Sequence, residues 1–301
     1  MTLSISSLYR GGGDFVLPNV SYVEGDNTVH YHPVPPPGAG AIVYKSGSDL
    51  LTVDYTLWDS SMGTPVGVLV IPEGFAPDGK ARMLSLQWAS SSSTSSTSAS
   101  YMAWGPTSTD TSLTNYTRVP TTDNAGSTTT GAAAYAYLPS DKFTGTVSYV
   151  DPLTQYSGTS RTMIPSPYLG DKPNPAYYAP ISGYNNALAD FDGKGNTDVL
   201  VGLGADYVAA NAARNYKAAG AEEIEWYLPA AGELGYMLPR FNKIQAALTK
   251  VNASQLNGSY YYWSSSEYSS NGAYGVNTSN GRVDYYSKND DDYVRPFALL
   301  A

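Results

Sequence analysis

The chain has 301 residues, no cysteine and a formal net charge of -9, and it contains 27 tyrosines but only 6 phenylalanines. The missing cysteines exclude thiolate catalysis and cysteine-ligated zinc, and the acidic balance disfavours a nucleic acid partner, which requires a basic surface. Charged residues make up 14% of the chain, well below the ~25% of ordinary globular domains. We therefore expect a polar, aromatic surface suited to contact with other molecules.

The sequence predicts neither a membrane-spanning segment nor a secretory signal at its N-terminus. The sequence has no apolar run of membrane-spanning length, and its first ten residues lack the basic head and apolar stretch of a secretory signal. A virion component, assembled in the cytoplasm and exposed after lysis, would explain a recognition surface without an export signal. Short β-like pieces and a proline-rich stretch predict that residues 1–38 form an attachment or oligomerisation segment with a linker. A ligand-binding domain is expected over residues 39–301.

Strands are predicted first in this domain. They cover residues 41–44, 66–71 and 81–86, and the middle run is apolar throughout, as in a strand that is buried on both faces. Residues 89–100 are almost all serine and threonine, which predicts a polar loop. Residues 105–185 show little periodicity, and such a long irregular stretch indicates loops that carry function.

Two helical regions follow. Residues 205–219 are alanine-rich and precede Gly220, which is placed to end a helix. Residues 230–251 carry apolar side chains at spacings of three and four, with Pro239 starting a new helical segment. The glycines of residues 199–204 imitate a dinucleotide fingerprint, but Tyr207 stands where its third glycine belongs. We interpret residues 199–204 as a buried strand that enters a helix.

After Gly258 the pattern is again that of strands, and the whole order predicts an α+β domain. The expected strands begin near Tyr260, Ala273, Arg282 and Tyr293. Asn-Gly pairs at residues 271–272 and 280–281 predict hairpin turns, because this pair accepts positive φ.

Other clusters of polar residues give weaker signals. Asp190, Asp192 and Asp198 have calcium-like spacing, but the twelfth position of an EF-hand loop is a valine here. A turn held by Asx-type hydrogen bonds is the favoured interpretation, with a calcium ion as the alternative. His30 and His32 would share one face of a strand, and without a third ligand we expect exposed polar residues rather than a metal site.

The densest signal is in residues 260–293, which hold eight tyrosines among serine, asparagine, aspartate and glycine. Tyrosine gives a large contact area at low entropic cost, and the small polar residues give adaptable hydrogen bonds, as in antibody paratopes. Asn, Tyr, Asp, Ser, Gly, Arg and Thr can all be reached from an asparagine codon by changing its adenines, and at positions 268–293 these residues alternate with a constant frame. These observations predict a recognition surface; the alternative is an exposed, merely tyrosine-rich sheet.

Three segments carry a family resemblance: residues 226–234 (WYLPAAGEL), 262–268 (YWSSSEY) and 293–297 (YVRPF). They resemble C-type-lectin-fold proteins related to the formylglycine-generating enzyme, and among these the variable proteins of diversity-generating retroelements, in the version carried by phages and mobile elements of Bacteroides-type bacteria. The resemblance implies a C-type lectin fold, with two helices, a small antiparallel sheet and long loops after a short β-like N-terminal segment. The enzyme's chemistry depends on cysteines, which this chain lacks.

The resemblance also implies a function and a site. It implies a non-enzymatic phage tail-fibre adhesin, commonly trimeric, that binds a bacterial surface protein or glycan without cofactor through a variable region at about residues 263–297. Trp263, Arg295 and Phe297 would belong to the rigid frame. The implied ligand contacts are Ser270, Asn271, Tyr274, Asn277, Asn280, Asp284, Tyr285, Tyr286, Asn289, Asp290, Asp291 and Asp292.

Two other functions remain open from the sequence. One is a carbohydrate-active enzyme that uses a carboxylate pair, such as Glu233 with Glu267 or Asp284. The other is a structural subunit of a virion or pilus whose polar surface has no specific ligand. Exposure on the bacterial cell surface is the alternative to the phage tail as the protein's location.

Overall fold

The computed structural model describes residues 19–23, 29–33, 38–93, 95–96, 98, 101–114, 136–137, 162–163, 168–169, 172–173, 187–256, 260–278 and 281–300. Strands dominate these residues. In chain order they are β1 Asn19–Val23, β2 Val29–Pro33, β3 Ile42–Ser46, β4 Asp49–Val53, β5 Thr64–Ile71, β6 Arg82–Ser85, β7 Tyr101–Ala103, β8 Ala136–Tyr137, β9 Thr162–Met163, β10 Tyr168–Leu169, β11 Lys172–Pro173, β12 Trp226–Tyr227, β13 Tyr261–Ser269, β14 Gly272–Asn277, β15 Arg282–Ser287, β16 Asp291–Tyr293 and β17 Phe297–Leu299.

Two large sheets organise the fold. One has six strands in the order β12-β17-β6-β5-β3-β4, and the other has seven in the order β7-β16-β13-β14-β15-β8-β9. Neighbouring strands are antiparallel, except that β13 pairs with β16, and β8 with β9, in parallel. The strands β1 and β2 form a separate antiparallel pair, as do β10 and β11.

The helices in the described residues are short. They are α1 Gly193–Leu203, α2 Val208–Asn215, α3 Ala231–Gly235 and α4 Phe241–Lys250, with 3-10 turns at Tyr55–Leu57, Ser60–Met62, Ala187–Ala189 and Leu238–Arg240. None of the helices in this part of the chain has the length and hydrophobicity that a membrane span requires.

The predicted fold class is therefore wrong. The sequence analysis expected an α+β domain of the C-type lectin type, with a small sheet beside two helices. The described residues instead form a β-rich structure whose sheets have six and seven strands. The difference arises from pairings between segments distant in sequence, such as β7 with β16 and β6 with β17, which no local pattern announces.

Several local predictions are confirmed. Each of the predicted strands at residues 41–44, 66–71 and 81–86 overlaps an observed strand, β3, β5 and β6 respectively. A tight turn does join β13 to β14, but Ser270 and Asn271 form it, because Gly272 is already the first residue of β14 and the register partner of Ser269. The turn therefore lies one residue before the predicted Asn-Gly pair, and neither Asn271 nor Gly272 has a positive φ. Pro239 lies in the 3-10 turn that immediately precedes α4, and the predicted core residues Phe241, Ile244 and Leu248 are buried.

The region before Gly204 differs from its predicted form. Residues 199–204 are not a strand; they are the last turns and the end of α1. The helix contains three glycines and three β-branched residues, all poor helix formers, so propensity alone would not predict it. Its start is fixed by Asp192, whose carboxylate accepts a hydrogen bond of 3.0 Å from the Gly195 amide. The expected Asx-type hydrogen bond is present, but it caps a helix.

The core explains the placement of β14. One large apolar cluster joins the two sheets to α3 and α4, and it includes Tyr274, Val276 and Val283. A second cluster packs the other face of the seven-stranded sheet against α1 and α2, and it includes Ala273 and Trp263. Every residue of β14 is therefore buried, on one face by the first cluster and on the other by the second.

Candidate functional site

The structure separates the predicted ligand contacts into buried and exposed groups. Tyr274, Asn277, Asp284 and Asp292 are buried. Asn280 lies outside the described residues. The half-buried positions are Ser270, Tyr285 and Tyr286, and the exposed ones are Asn271, Asn289, Asp290 and Asp291.

Tyr274 belongs to the core and cannot be a ligand contact. Its ring is 2% exposed and packs edge-on against Tyr268, whose ring stacks on Tyr285 with centroids 3.8 Å apart. The tyrosine density in β13 to β15 thus contributes partly to packing, and composition could not distinguish this use from recognition. The three frame residues behave as expected, since Trp263, Arg295 and Phe297 are all buried.

The exposed predicted residues lie on turns that meet a loop from elsewhere in the chain. We call residues 108–112, 270–271 and 287–291 together the polar loop surface. The amide of Ser108 donates to Asn271 Oδ1 at 2.8 Å, and the amide of Thr109 donates to the Ser270 carbonyl at 3.2 Å. The Lys288 amide donates to the Asn271 carbonyl at 2.9 Å. A loop that is distant in sequence and two C-terminal turns therefore form one surface.

A buried ion pair holds this surface from below. The Lys288 ammonium donates to Glu267 Oε1, and both side chains are fully buried. Lys288 Nζ also donates to the Thr109 carbonyl at 2.8 Å, and the Thr111 hydroxyl donates to Glu267 Oε2 at 2.5 Å. The ammonium lies 4.9 Å from the centroid of the Trp104 ring. The pair thereby ties the 108–112 loop to Lys288, and the backbone amide of Lys288 ties the same residue to Asn271.

The backbone of the 108–112 loop is unusual at both ends. Ser108 has φ of 64° and Ser112 has φ of 63°, values that few residues other than glycine adopt. The Ser112 amide donates to Asp110 Oδ1 at 2.9 Å. Positive φ at two serines indicates a loop held in one shape by its surroundings, as loops that carry function often are.

Sequence reasoning missed the part played by Lys288 and by residues 108–112. One signal was available for Lys288, because it is one of only two basic residues, with Arg282, between Ser264 and Val294. A single lysine in such a neutral stretch is a natural partner for a buried acid. No sequence signal placed the 108–112 loop beside the C-terminal turns.

The carboxylates proposed for an enzyme do not share an open cleft. Glu233 is fully buried and accepts hydrogen bonds from Arg82 Nε at 2.5 Å, Tyr227 Oη at 3.1 Å and the Ala230 amide at 2.8 Å. Glu267 is engaged instead by Lys288. Asp284 is buried, and it accepts a hydrogen bond of 2.8 Å from the Tyr285 amide.

Burial raises the pKa of Glu233 to about 7, although Arg82 and the Ala230 amide act in the opposite direction. The group lies beside a polar cavity of about 280 Å³, whose lining also includes Asp78, Lys80 and Lys194. A carboxyl group with this pKa could transfer protons. Its three hydrogen bonds, however, show that Glu233 caps α3 and holds the six-stranded sheet to it. No second free carboxylate faces Glu233 among the described residues.

The three aspartates considered for calcium have separate partners. Asp190 accepts from the Ser266 hydroxyl at 2.7 Å and from Asn196 Nδ2 at 2.8 Å. Asp192 caps α1, and Asp198 pairs with Arg214 and with Lys194. No set of three or more acidic or histidine side chains that could hold a metal ion occurs in the described ranges. His30 and His32 lie on β2, for which only the backbone is described.

Comparisons with known proteins assign no family to the chain. No family model matches the sequence, and no curated protein matches it. Among solved structures, a fimbrial protein from Bacteroides ovatus is similar, with 14% sequence identity, a TM-score of 0.45, and coverage of 88% of this chain and 49% of that one. The chain thus spans about half the length of that protein.

Proposed function

We propose that the protein is a non-enzymatic recognition protein that binds a component of a bacterial surface through the polar loop surface. One observation carries this proposal: exposed polar side chains from the 108–112 loop and from two C-terminal turns meet above a buried Lys288–Glu267 pair, and hydrogen bonds of Lys288 join the three segments. Recognition residues are commonly placed on loops that a rigid scaffold positions. A surface held in one conformation also loses less entropy when it binds.

The exposed side chains are suited to hydrogen bonding. Asn271 and Asn289 each offer donors and acceptors, and Asp290 and Asp291 add acceptors. The aromatic residues predicted as contacts are half-buried at Tyr285 and Tyr286, so their exposed parts can add apolar area at the margin. The expected ligand therefore presents hydroxyl or amide groups, as surface glycans and proteins do.

Binding of the fluorescently labelled protein to intact bacterial cells tests this proposal. A panel of Bacteroides strains is screened first, and a strain that binds the wild type is used for titration. The triple variant Asn271→Ala, Asn289→Ala and Asp290→Ala should bind at least about tenfold more weakly, because each truncation removes hydrogen bonds worth about 0.5–1.5 kcal/mol. Its thermal unfolding midpoint should stay within a few degrees of the wild type.

The matched control is the triple variant Ser48→Ala, Asp49→Ala and Glu73→Ala. Ser48 and Glu73 are exposed on turns next to the six-stranded sheet, and Asp49 is exposed at the first position of β4, so all three lie away from the polar loop surface. The control should bind as the wild type does. Equal binding by both triple variants, or no binding of the wild type to any strain, would contradict the proposal.

The narrower role of a phage tail-fibre adhesin belongs to this proposal. Its support is the pattern of adenine-reachable residues at 268–293 and the resemblance of residues 226–234, 262–268 and 293–297. We propose that a near-copy of the codons for residues 263–297, differing only at adenines, lies beside a reverse transcriptase gene in the flanking DNA. Variation should then concentrate at Asn271, Asn289, Asp290 and Asp291 and spare the buried Tyr274.

Attachment to a tail and assembly as a homotrimer were assigned to residues 1–38. Within that segment the structure describes only the β1–β2 pair and Gly38, so both remain predictions. Detection of the protein by mass spectrometry in purified phage particles, with a trimer mass in solution, would support them. A protein found only in the bacterial cell envelope would contradict the tail assignment and leave the recognition function intact.

A further inference from the structure

Beside the polar loop surface lies a pair of exposed tyrosines that the sequence analysis did not assign. Tyr101 and Tyr260 are 45% and 46% exposed, although most large aromatic side chains of the described residues are buried. Tyr101 stacks on Tyr293 with ring centroids 4.4 Å apart and an angle of 25° between the rings. Tyr260 stands nearly perpendicular to both, at 84° to Tyr101 and 87° to Tyr293. We call these three residues the tyrosine platform.

The platform is held rigidly by the fold. Tyr101 on β7 and Tyr293 on β16 are register partners in an antiparallel pair. Tyr293 is 3% exposed and packs against the buried Trp88, with centroids 5.1 Å apart. The Tyr293 and Tyr101 hydroxyls are 2.8 Å apart, within hydrogen-bond distance. A ligand would therefore meet rings that are already fixed, which reduces the entropic cost of binding.

The hydroxyl groups of Tyr101 and Tyr260, the two exposed members of the platform, stay neutral. The hydrogen bond with Tyr293 raises the pKa of Tyr101, and the hydrogen bond with Tyr101 raises the pKa of Tyr260. Neutral phenols can both donate and accept hydrogen bonds. The exposed part of the platform thus combines flat apolar faces with neutral polar edges.

An exposed carboxylate stands next to the platform. Asp291 precedes Tyr293 by two residues on β16, so the two side chains lie on the same face of the strand, with Cα atoms roughly 7 Å apart. Its register partner on β7 is Ala103, whose small side chain leaves room beside it. Asp291 belongs to the polar loop surface, and this carboxylate joins that surface to the platform.

We propose that the tyrosine platform and Asp291 form a binding site for a neutral saccharide. A pyranose ring has a flat face of C–H groups that can stack on the exposed face of Tyr101, with Tyr260 as a side wall. Its hydroxyl groups can donate to the Asp291 carboxylate. The exposed carboxylates of Asp290 and Asp291 repel an anionic ligand, which favours a neutral sugar over an acidic one. This inference rests on the proposed function and names its ligand class.

An array of neutral and acidic oligosaccharides tests the inference, with EDTA present to remove calcium. The wild type should bind neutral oligosaccharides, and saturation-transfer NMR should show ligand protons in contact with tyrosine rings. Tyr101→Ala and Tyr260→Ala should each weaken binding by about two- to tenfold, because each removes an aromatic ring from the contact with the sugar. Asp291→Asn should weaken it as well, and Tyr101→Phe should keep most of it.

Leu57→Ala is the matched control, since Leu57 is an exposed apolar residue on a 3-10 turn at residues 55–57, on another part of the surface. Failure of the wild type to bind any neutral oligosaccharide would overturn the saccharide site. Neutral binding unchanged in both alanine variants would overturn it as well. If cell binding is nevertheless lost in the Asn271, Asn289 and Asp290 triple variant, the recognition function stands with a ligand of another class, such as a protein. If the platform variants lose both oligosaccharide binding and cell binding while Leu57→Ala keeps both, the saccharide site is supported.

Discussion

Two regions of the molecule are each built around a buried ion pair, and the pairs have different consequences. Arg82 and Glu233 join the six-stranded sheet to the start of α3, and both side chains are almost completely buried. Lys288 and Glu267 are equally buried, but they hold loops at the end of the seven-stranded sheet. The same chemistry therefore stabilises the fold in one region and the shape of a surface in the other.

The number of additional partners differs between the two regions. Arg82 also donates to both carboxylate oxygens of Asp78, at 2.9 and 3.0 Å, and to two backbone carbonyls. Burial opposes its charge, but Asp78 and Glu233 together raise the pKa of Arg82 above its ordinary value. Lys288 adds only the Thr109 carbonyl and the Trp104 ring. We therefore expect that loss of the first pair affects stability more than loss of the second.

The largest effect is expected for Arg82→Met. The substitution leaves Glu233 buried without its cation, and removing one partner of a buried pair costs about 3–5 kcal/mol. The free energy of unfolding at pH 8, measured by urea with tryptophan fluorescence, should fall by this amount. At pH 5 the loss should be smaller, because burial places the pKa of Glu233 near 7 and a protonated carboxyl group needs no cation. A loss under 1 kcal/mol at pH 8 would show that the pair does not hold the frame.

Lys288→Met tests the other region. We expect a loss of about 3 kcal/mol in the free energy of unfolding, because Glu267 keeps the hydrogen bond from Thr111 when its cation is removed. Binding to bacterial cells should also weaken at least about tenfold, since the Thr109 segment loses its anchor. Arg82→Met should keep the binding affinity of its folded fraction. The comparison of cell-binding affinity between the two variants therefore tests whether the second pair acts on the binding surface.

The double variant Lys288→Met with Glu267→Leu separates the two roles of this pair. Replacing a buried ion pair by apolar residues of similar size is often neutral for stability, so the free energy of unfolding should recover. Cell binding should not recover, because no group then donates to the Thr109 carbonyl. Recovery of both would mean that the pair contributes only stability.

The same contrast shows how far sequence reasoning could go. The helix α4 was predicted correctly and the turn after β13 was placed to within one residue, because their signals lie within a few neighbouring residues. The burial of Tyr274 was not predicted, because it depends on packing against both sheets and α3. The sheet sizes and the Lys288–Thr109 bond depend on partners more than 100 residues away, which a local pattern does not reveal.

A further buried carboxylate, that of Asp292, lies at the edge of the polar loop surface. Asp292 is 9% exposed on β16, opposite Met102. Among the described residues, no group donates a hydrogen bond to its carboxylate. Burial, together with the charges of Asp290 and Asp291, raises the pKa of Asp292 from an ordinary 3.8 to about 7. Asp292 is therefore a buried acid whose ionised form is not stabilised by a hydrogen bond from any described residue.

Asp292→Asn should change the pH dependence of stability rather than its level. Because the pKa of Asp292 is raised in the folded state, the native protein binds more protons than the unfolded chain between about pH 4 and pH 7. The wild type should lose stability as the pH rises through this window, by about 1.4 kcal/mol per pH unit at most.

The variant has no proton to lose at this position, so its stability relative to the wild type should increase by about 2 kcal/mol from pH 5 to pH 8. Urea unfolding at both pH values measures this difference. Asp49→Asn is the control, because Asp49 is an exposed aspartate at the first position of β4, and the substitution should leave the pH dependence unchanged. If the difference between wild type and Asp292→Asn were the same at both pH values, the carboxylate would have a partner or contact with water that keeps its pKa ordinary.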